Sequence, residues 1–87
     1  MRVMNNARYH LKCNVPKFEQ HHGYDNDANA RRIAVSDFFS LQSQFEARGY
    51  IVLTSYRNEP LRGTIQVRVD GFYYYVELYD EKGVKEI

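Results

Sequence analysis

A single cysteine, Cys13, stands in a chain of 87 residues, so no intramolecular disulfide can form and a disulfide-stapled secreted scaffold is excluded. Neither sign of charge dominates: the net charge of +1 argues against an acidic nucleic-acid mimic and against a strongly basic, non-specific DNA binder. No apolar run approaches the length of a membrane span, and the opening Met1-Arg2-Val3-Met4-Asn5-Asn6 lacks the apolar core of a signal peptide. The cytosol is therefore the expected compartment, with no membrane partner. A glycine-rich phosphate loop is missing as well, because the glycines at 23, 49, 63, 71 and 83 all read as turn or cap positions.

The usual metal signatures are equally scarce. His10, Cys13, His21 and His22 show no Cys-x-x-Cys or His-x-x-x-His spacing, and strand residues three apart point to opposite faces, so His10 and Cys13 do not share an ion. Neither metal nor cofactor is expected. Cys13 falls on the apolar side of its strand, where a buried, inert thiol is the ordinary state. Asp25, Asp27 and Asp37 are the clustered carboxylates outside the C-terminal tail, and each reads as a loop or helix-cap residue rather than as an acid or base. No catalytic residues are assigned and no enzymatic activity is expected.

Tryptophan is absent too, but eight tyrosines take up the aromatic load, and tyrosine is a residue type that interfaces favour. Several of them sit in the most informative stretch, residues 64–79. Asp70-Gly71 separates two alternating runs, and Asp-Gly signals a two-residue hairpin turn because both central residues need positive φ. The turn predicts that Val69 faces Phe72, Val67 faces Tyr74 and Ile65 faces Val76. Ile65, Val67, Val69, Phe72, Tyr74, Val76 and Leu78 then form a core face. Thr64, Gln66, Arg68, Tyr73, Tyr75, Glu77 and Tyr79 form the other. That second face is too aromatic for a plain solvated surface.

Elsewhere, residues 7–15 alternate as a half-buried strand with Arg8, His10 and Lys12 outward, and Pro16 ends it. Residues 17–27 read as an irregular loop. A helix over 28–48 follows, capped near Asp27 in a long version or starting at Ser36 in a short one. The long version places Ala30, Ala34, Phe38, Leu41 and Phe45 on one stripe, and Gly49 terminates either. Strands are expected at 50–57, 64–70 and 72–79, with a polar tail over 80–87. The length and a 44% apolar composition predict one α+β domain over residues 1–87. Its single main helix would lie on one face of a largely antiparallel four-stranded sheet, in the order β-α-β-β-β.

On that architecture the face away from the helix gathers Arg8, Lys12, Arg68, Tyr73, Tyr75 and Tyr79, joined by Tyr56 or Arg57 according to which side of the 50–57 strand points inward. Phe39, nearly opposite the helix stripe, is a second candidate contact. Arginine beside tyrosine suits a protein interface, where rigid rings supply area and guanidinium groups supply paired hydrogen bonds. It also suits nucleic acid, where cations meet phosphate and rings stack on bases. The expected function is a small non-catalytic binding protein acting stoichiometrically on a macromolecule, in the manner of a phage- or plasmid-type inhibitor of a host or defence protein complex. A nucleic-acid-binding module using the same face is the alternative. Gly71-Phe72-Tyr73-Tyr74-Tyr75 shares three positions with the RNA-recognition strand signature, but Asp70, Tyr73 and Tyr75 depart from it and the second helix of that fold is missing. A homodimer is a further expectation, through an edge strand at 7–15 or 50–57.

Overall fold

The structure, a computed structural model, describes residues 7–82. The chain runs β1 (Tyr9–Cys13), β2 (Gln20–Tyr24), α1 (Ala28–Ala47), β3 (Ile51–Arg57), β4 (Arg62–Val69) and β5 (Phe72–Asp80). The sheet has five strands rather than four, all antiparallel, in the order β2-β1-β5-β4-β3. The expected α+β class holds, while the strand count and element order are corrected.

The extra strand is β2, inside the segment read as a loop. Pro16 does end β1, but it also opens a tight turn in which the Phe18 amide donates to the Val15 carbonyl and Lys17 adopts φ 74°. Proline followed by a positive-φ residue is a reversing turn. It carries residues 20–24 back along β1, with Cys13 opposite Gln20 and Tyr9 opposite Tyr24. Gln20-His21-His22-Gly23 has neither alternation nor β-branched residues, because only Tyr24 of this strand is buried. Main-chain pairing, not side-chain pattern, makes it a strand. Gly23 is accordingly a strand residue and not a turn.

The long helix is the one that forms. Asp27 holds extended geometry and its Oδ1 accepts from the Ala30 amide at 2.7 Å, which satisfies one of the unpaired amides of the first turn. Ser36 lies within the helix. At the far end the Tyr50 amide donates to the Phe45 carbonyl and the Gly49 amide to that of Glu46, with Gly49 at φ 81°. That is the Schellman arrangement, completed by Tyr50 lying near Phe45 with ring centroids 6.2 Å apart. Ala30, Ala34, Phe38, Leu41 and Phe45 are the buried face, as the spacing predicts. They rest on Leu11, Cys13, Ile65, Val67, Val76 and Leu78. Among the described residues no helix is long and apolar enough to cross a membrane.

The β4–β5 hairpin has the predicted register: Val69 meets Phe72, Val67 meets Tyr74 and Ile65 meets Val76, across Asp70 at φ 51° and Gly71 at φ 85°. One core assignment fails there. Phe72 is 66% exposed, since the helix does not cover the tip of the hairpin. Gly63 is a buried position inside β4 rather than a turn, opposite Tyr56 on one side and Leu78 on the other. The 7–15 segment cannot be a sheet edge, because β1 is paired on both sides; among the described residues the edges are β2 and β3. Of the 80–87 tail, residue 80 closes β5 and the residues from 83 onward lie outside the described range.

Candidate binding surface

Alternation in five paired strands sorts the outer face, away from α1, into rows that cross the sheet. The first row is Ile51, Arg68 and Tyr73; the second is Leu53, Gln66 and Tyr75. A third runs Ser55, Thr64, Glu77, Lys12 and His21, and a fourth Arg57, Arg62, Tyr79 and His10. The face therefore has two halves. Toward the hairpin tip it is aromatic and aliphatic, and toward the other end it is charged.

In the apolar half Tyr73 is 53% and Tyr75 49% exposed, and Ile51 and Leu53 are 66% and 69% exposed. The Arg68 guanidinium lies 5.7 Å from the Tyr73 ring centroid, the cross-strand pair expected from the hairpin register. Tyr75 is held by Asn14: its amide donates to Asn14 Oδ1 at 2.7 Å, and the Asn14 amide donates back to the Tyr75 carbonyl. Tyr73 and Tyr75 are alternate residues of β5, so both rings leave the sheet on the same face.

The charged half is tied down by its own contacts. His10 stacks on Tyr79 with centroids 5.1 Å apart and contacts Glu81 through Nε2 at 2.8 Å. His21 Nε2 lies 3.3 Å from His10 Nδ1. Partial desolvation, followed by the nearby Lys12 and His10, lowers the His21 pKa and so favours the neutral ring. Lys12 Nζ sits 5.8 Å from the Tyr79 centroid, and Arg62 approaches Glu77 at 3.9 Å.

The residues expected on this face are therefore only partly assembled. Arg68, Tyr73 and Tyr75 come together; Lys12 and Tyr79 share the face but sit in the charged half. Arg8 forms a two-pronged pair with Asp80 at 2.9 and 3.0 Å, which raises its pKa further and commits its fork. Tyr56 belongs to the opposite side. Val52 faces Val67 and Thr54 faces Ile65, which sets the phase of β3 and turns Tyr56 toward the helix. There its ring meets Phe39 at 5.1 Å, and Phe39 in turn sets its edge on Phe38 at 5.0 Å. Phe39 is thereby half-buried in a packed aromatic cluster and is not an open helix-back contact. Arg57, the alternative from that strand, takes the outer face.

Sequence reasoning missed Ile51 and Leu53, because β3 carries apolar residues on both of its faces and period alone does not choose between them. It also missed the His10–His21 contact, which needs the unforeseen β2. Asp37 differs from its expected role as a loop or cap residue: its Oδ2 accepts from the buried Tyr24 hydroxyl at 2.7 Å.

Burial first, then the bond to Asp37, pushes the Tyr24 phenol well above its ordinary value. Burial likewise pushes the Cys13 thiol up. Both groups are held protonated by the fold while the unfolded chain releases their protons, so they stabilise fully below the ordinary values and less as pH rises past them. Stability is therefore expected to fall above pH of about 9 to 10. Tyr24→Phe should lose about 1 kcal/mol at neutral pH and flatten that alkaline decline, read by urea unfolding at a series of pH values. An unchanged alkaline slope would remove Tyr24 as its source.

His10 and Cys13 stand on opposite faces of β1, and among the described residues no group of three or more His, Cys, Asp or Glu side chains gathers around a point that could hold a metal ion. Comparison with protein-family models, with curated proteins and with solved structures finds no match to this chain.

Proposed function

We propose that this is a small non-catalytic binding protein of the cytosol that acts stoichiometrically on a protein partner through the apolar half of its outer sheet face. The observation that carries this reading is the two-row patch of Ile51, Leu53, Tyr73 and Tyr75 around Arg68, with all four apolar side chains about half or more exposed. A monomer gains nothing from leaving such a patch in water, whereas an interface gains from rigid tyrosines flanking an arginine. Occlusion of a partner's surface requires no chemistry from the chain, which suits an inhibitor of the phage- or plasmid-encoded type. A nucleic-acid partner is the second reading. Its own support is the excess of Arg57, Arg62, Arg68 and Lys12 over Glu77 and Glu81 on the same face.

The test is affinity capture from lysate with wild type and Tyr73→Ala/Tyr75→Ala, with and without nuclease. Each tyrosine is expected to contribute about 2 kcal/mol to binding, so the double variant should lose the partner while its melting curve is unchanged. Capture that persists after nuclease and disappears in the variant supports the protein partner. Loss of signal on nuclease treatment transfers the function to nucleic acid, and equal capture by both chains refutes the surface.

A further inference from the structure

We propose that β3 pairs with β3 of a second copy of this chain, antiparallel about a two-fold axis at Thr54, joining two five-stranded sheets into one of ten strands.

The two edges of the sheet are unequal. β2 has five residues, carries Gln20, His21, His22 and Gly23, and offers little for another strand to pack against. β3 has seven residues, Ile-Val-Leu-Thr-Ser-Tyr-Arg, and among the described residues no strand covers its outer side. Natural edges are guarded by lysine, proline, a bulge or an inward charge. β3 has none of these, and its register with β4 runs unbroken from Ile51 to Arg57. Its one charge, Arg57, is at the very end.

The strand is also complementary to itself. With Thr54 on the axis all seven residues overlap, and Ile51 meets Arg57 of the second copy, Val52 meets Tyr56 and Leu53 meets Ser55. The two Arg57 side chains fall at opposite ends, each stem lying over an isoleucine, so no like charges are opposed. The two Leu53 side chains are diagonal neighbours across the axis, which removes part of their exposure from water. Thr54 itself supplies an independent sign. Its Oγ1 is the buried side-chain oxygen without a hydrogen-bond partner among the described residues. A hydroxyl of this kind is costly to leave unsatisfied, and threonines opposed across two strands bond one another. Rotation about χ1 brings each Thr54 hydroxyl to its copy at the axis.

This pairing extends the outer face, placing Arg57 of one copy beside Ile51 of the other, and it stands whether or not the Tyr73–Tyr75 patch meets a partner. A single strand pair is a small interface, so association is expected at roughly 10–100 μM chain.

The experiment is sedimentation equilibrium of the full chain across roughly 1–300 μM, for wild type, Leu53→Lys and Leu53→Glu, and for the two variants mixed. Leu53 is exposed, so neither change touches the core. Wild type should pass from monomer to dimer, and each variant should weaken association by about tenfold or more. The mixture should recover dimer, because the lysine introduced in one copy then lies diagonal to the glutamate introduced in the other. A chain that stays monomeric throughout, or a dimer indifferent to both substitutions, overturns the proposal. Oxidised Thr54→Cys reports the register: a cross-linked dimer places the axis at Thr54, and a dimer that does not cross-link refutes that axis.

Discussion

Phe38→Ala is expected to remove about 3–5 kcal/mol of folding free energy. Phe38 is fully buried at the centre of the helix stripe. Its ring touches the second aromatic layer through Phe39 and Tyr56, with centroids 5.0 and 6.2 Å away, and it lies flat against the Gly63 backbone. Truncation leaves a cavity that none of these can fill, since Phe39 and Tyr56 are held from their own elements. Domains of this size are stable by about 5–15 kcal/mol, so the loss is a large fraction of the total. Thermal and urea unfolding should show a melting temperature lower by roughly 10–30 °C. A loss under about 1 kcal/mol would mean that the core collapses freely around position 38 and that the aromatic layer is not its anchor.

The second prediction concerns the surface that ring rests on. Gly63→Ala should cost about 1–3 kcal/mol, although alanine ordinarily improves on glycine within a strand. A Cβ at position 63 would lie 2.8 Å from Phe38 Cζ and 3.0 Å from Cε1. Neither side gives way easily. Gly63 is fixed between Tyr56 and Leu78 by strand pairing, and the ring is enclosed by Phe39 and Tyr56. The conflict is pairwise, so a double-mutant cycle should detect it. In a Phe38→Leu background the added methyl should become neutral or favourable, giving a coupling of about 1–3 kcal/mol. An equal cost in both backgrounds would locate the obstacle in the backbone of β4 rather than in the ring.

Gly63 also marks the limit of what composition and spacing reveal. A glycine before an alternating run reads as turn punctuation, and nothing local distinguishes it from one demanded by the side chain of Phe38, far back along the chain. The exposed pair Ile51 and Leu53 had the same difficulty. β3 could have presented either face to the helix, and its pairing with Val67 and Ile65 of β4 decided the matter. Tyr56 turns inward onto Phe39 for that reason, while Arg68, Tyr73 and Tyr75 share the outer face.

What the sequence determined alone are the features encoded by neighbours. Asp70-Gly71 set the hairpin register because a two-residue turn leaves no freedom in pairing. Spacing of Ala30, Ala34, Phe38, Leu41 and Phe45 set the buried helix face, with Asp27 and Gly49 closing its ends. Alternation set both faces of β1. These are short-range constraints, each satisfied within a few residues. Tertiary structure decided what depends on distant partners: that a polar, unpatterned segment becomes β2, that β3 is an edge strand among the described residues, that Tyr24 reaches Asp37 and that His10 meets His21. Backbone hydrogen bonding is indifferent to side-chain identity, so a strand recruited by its neighbour need carry no pattern of its own.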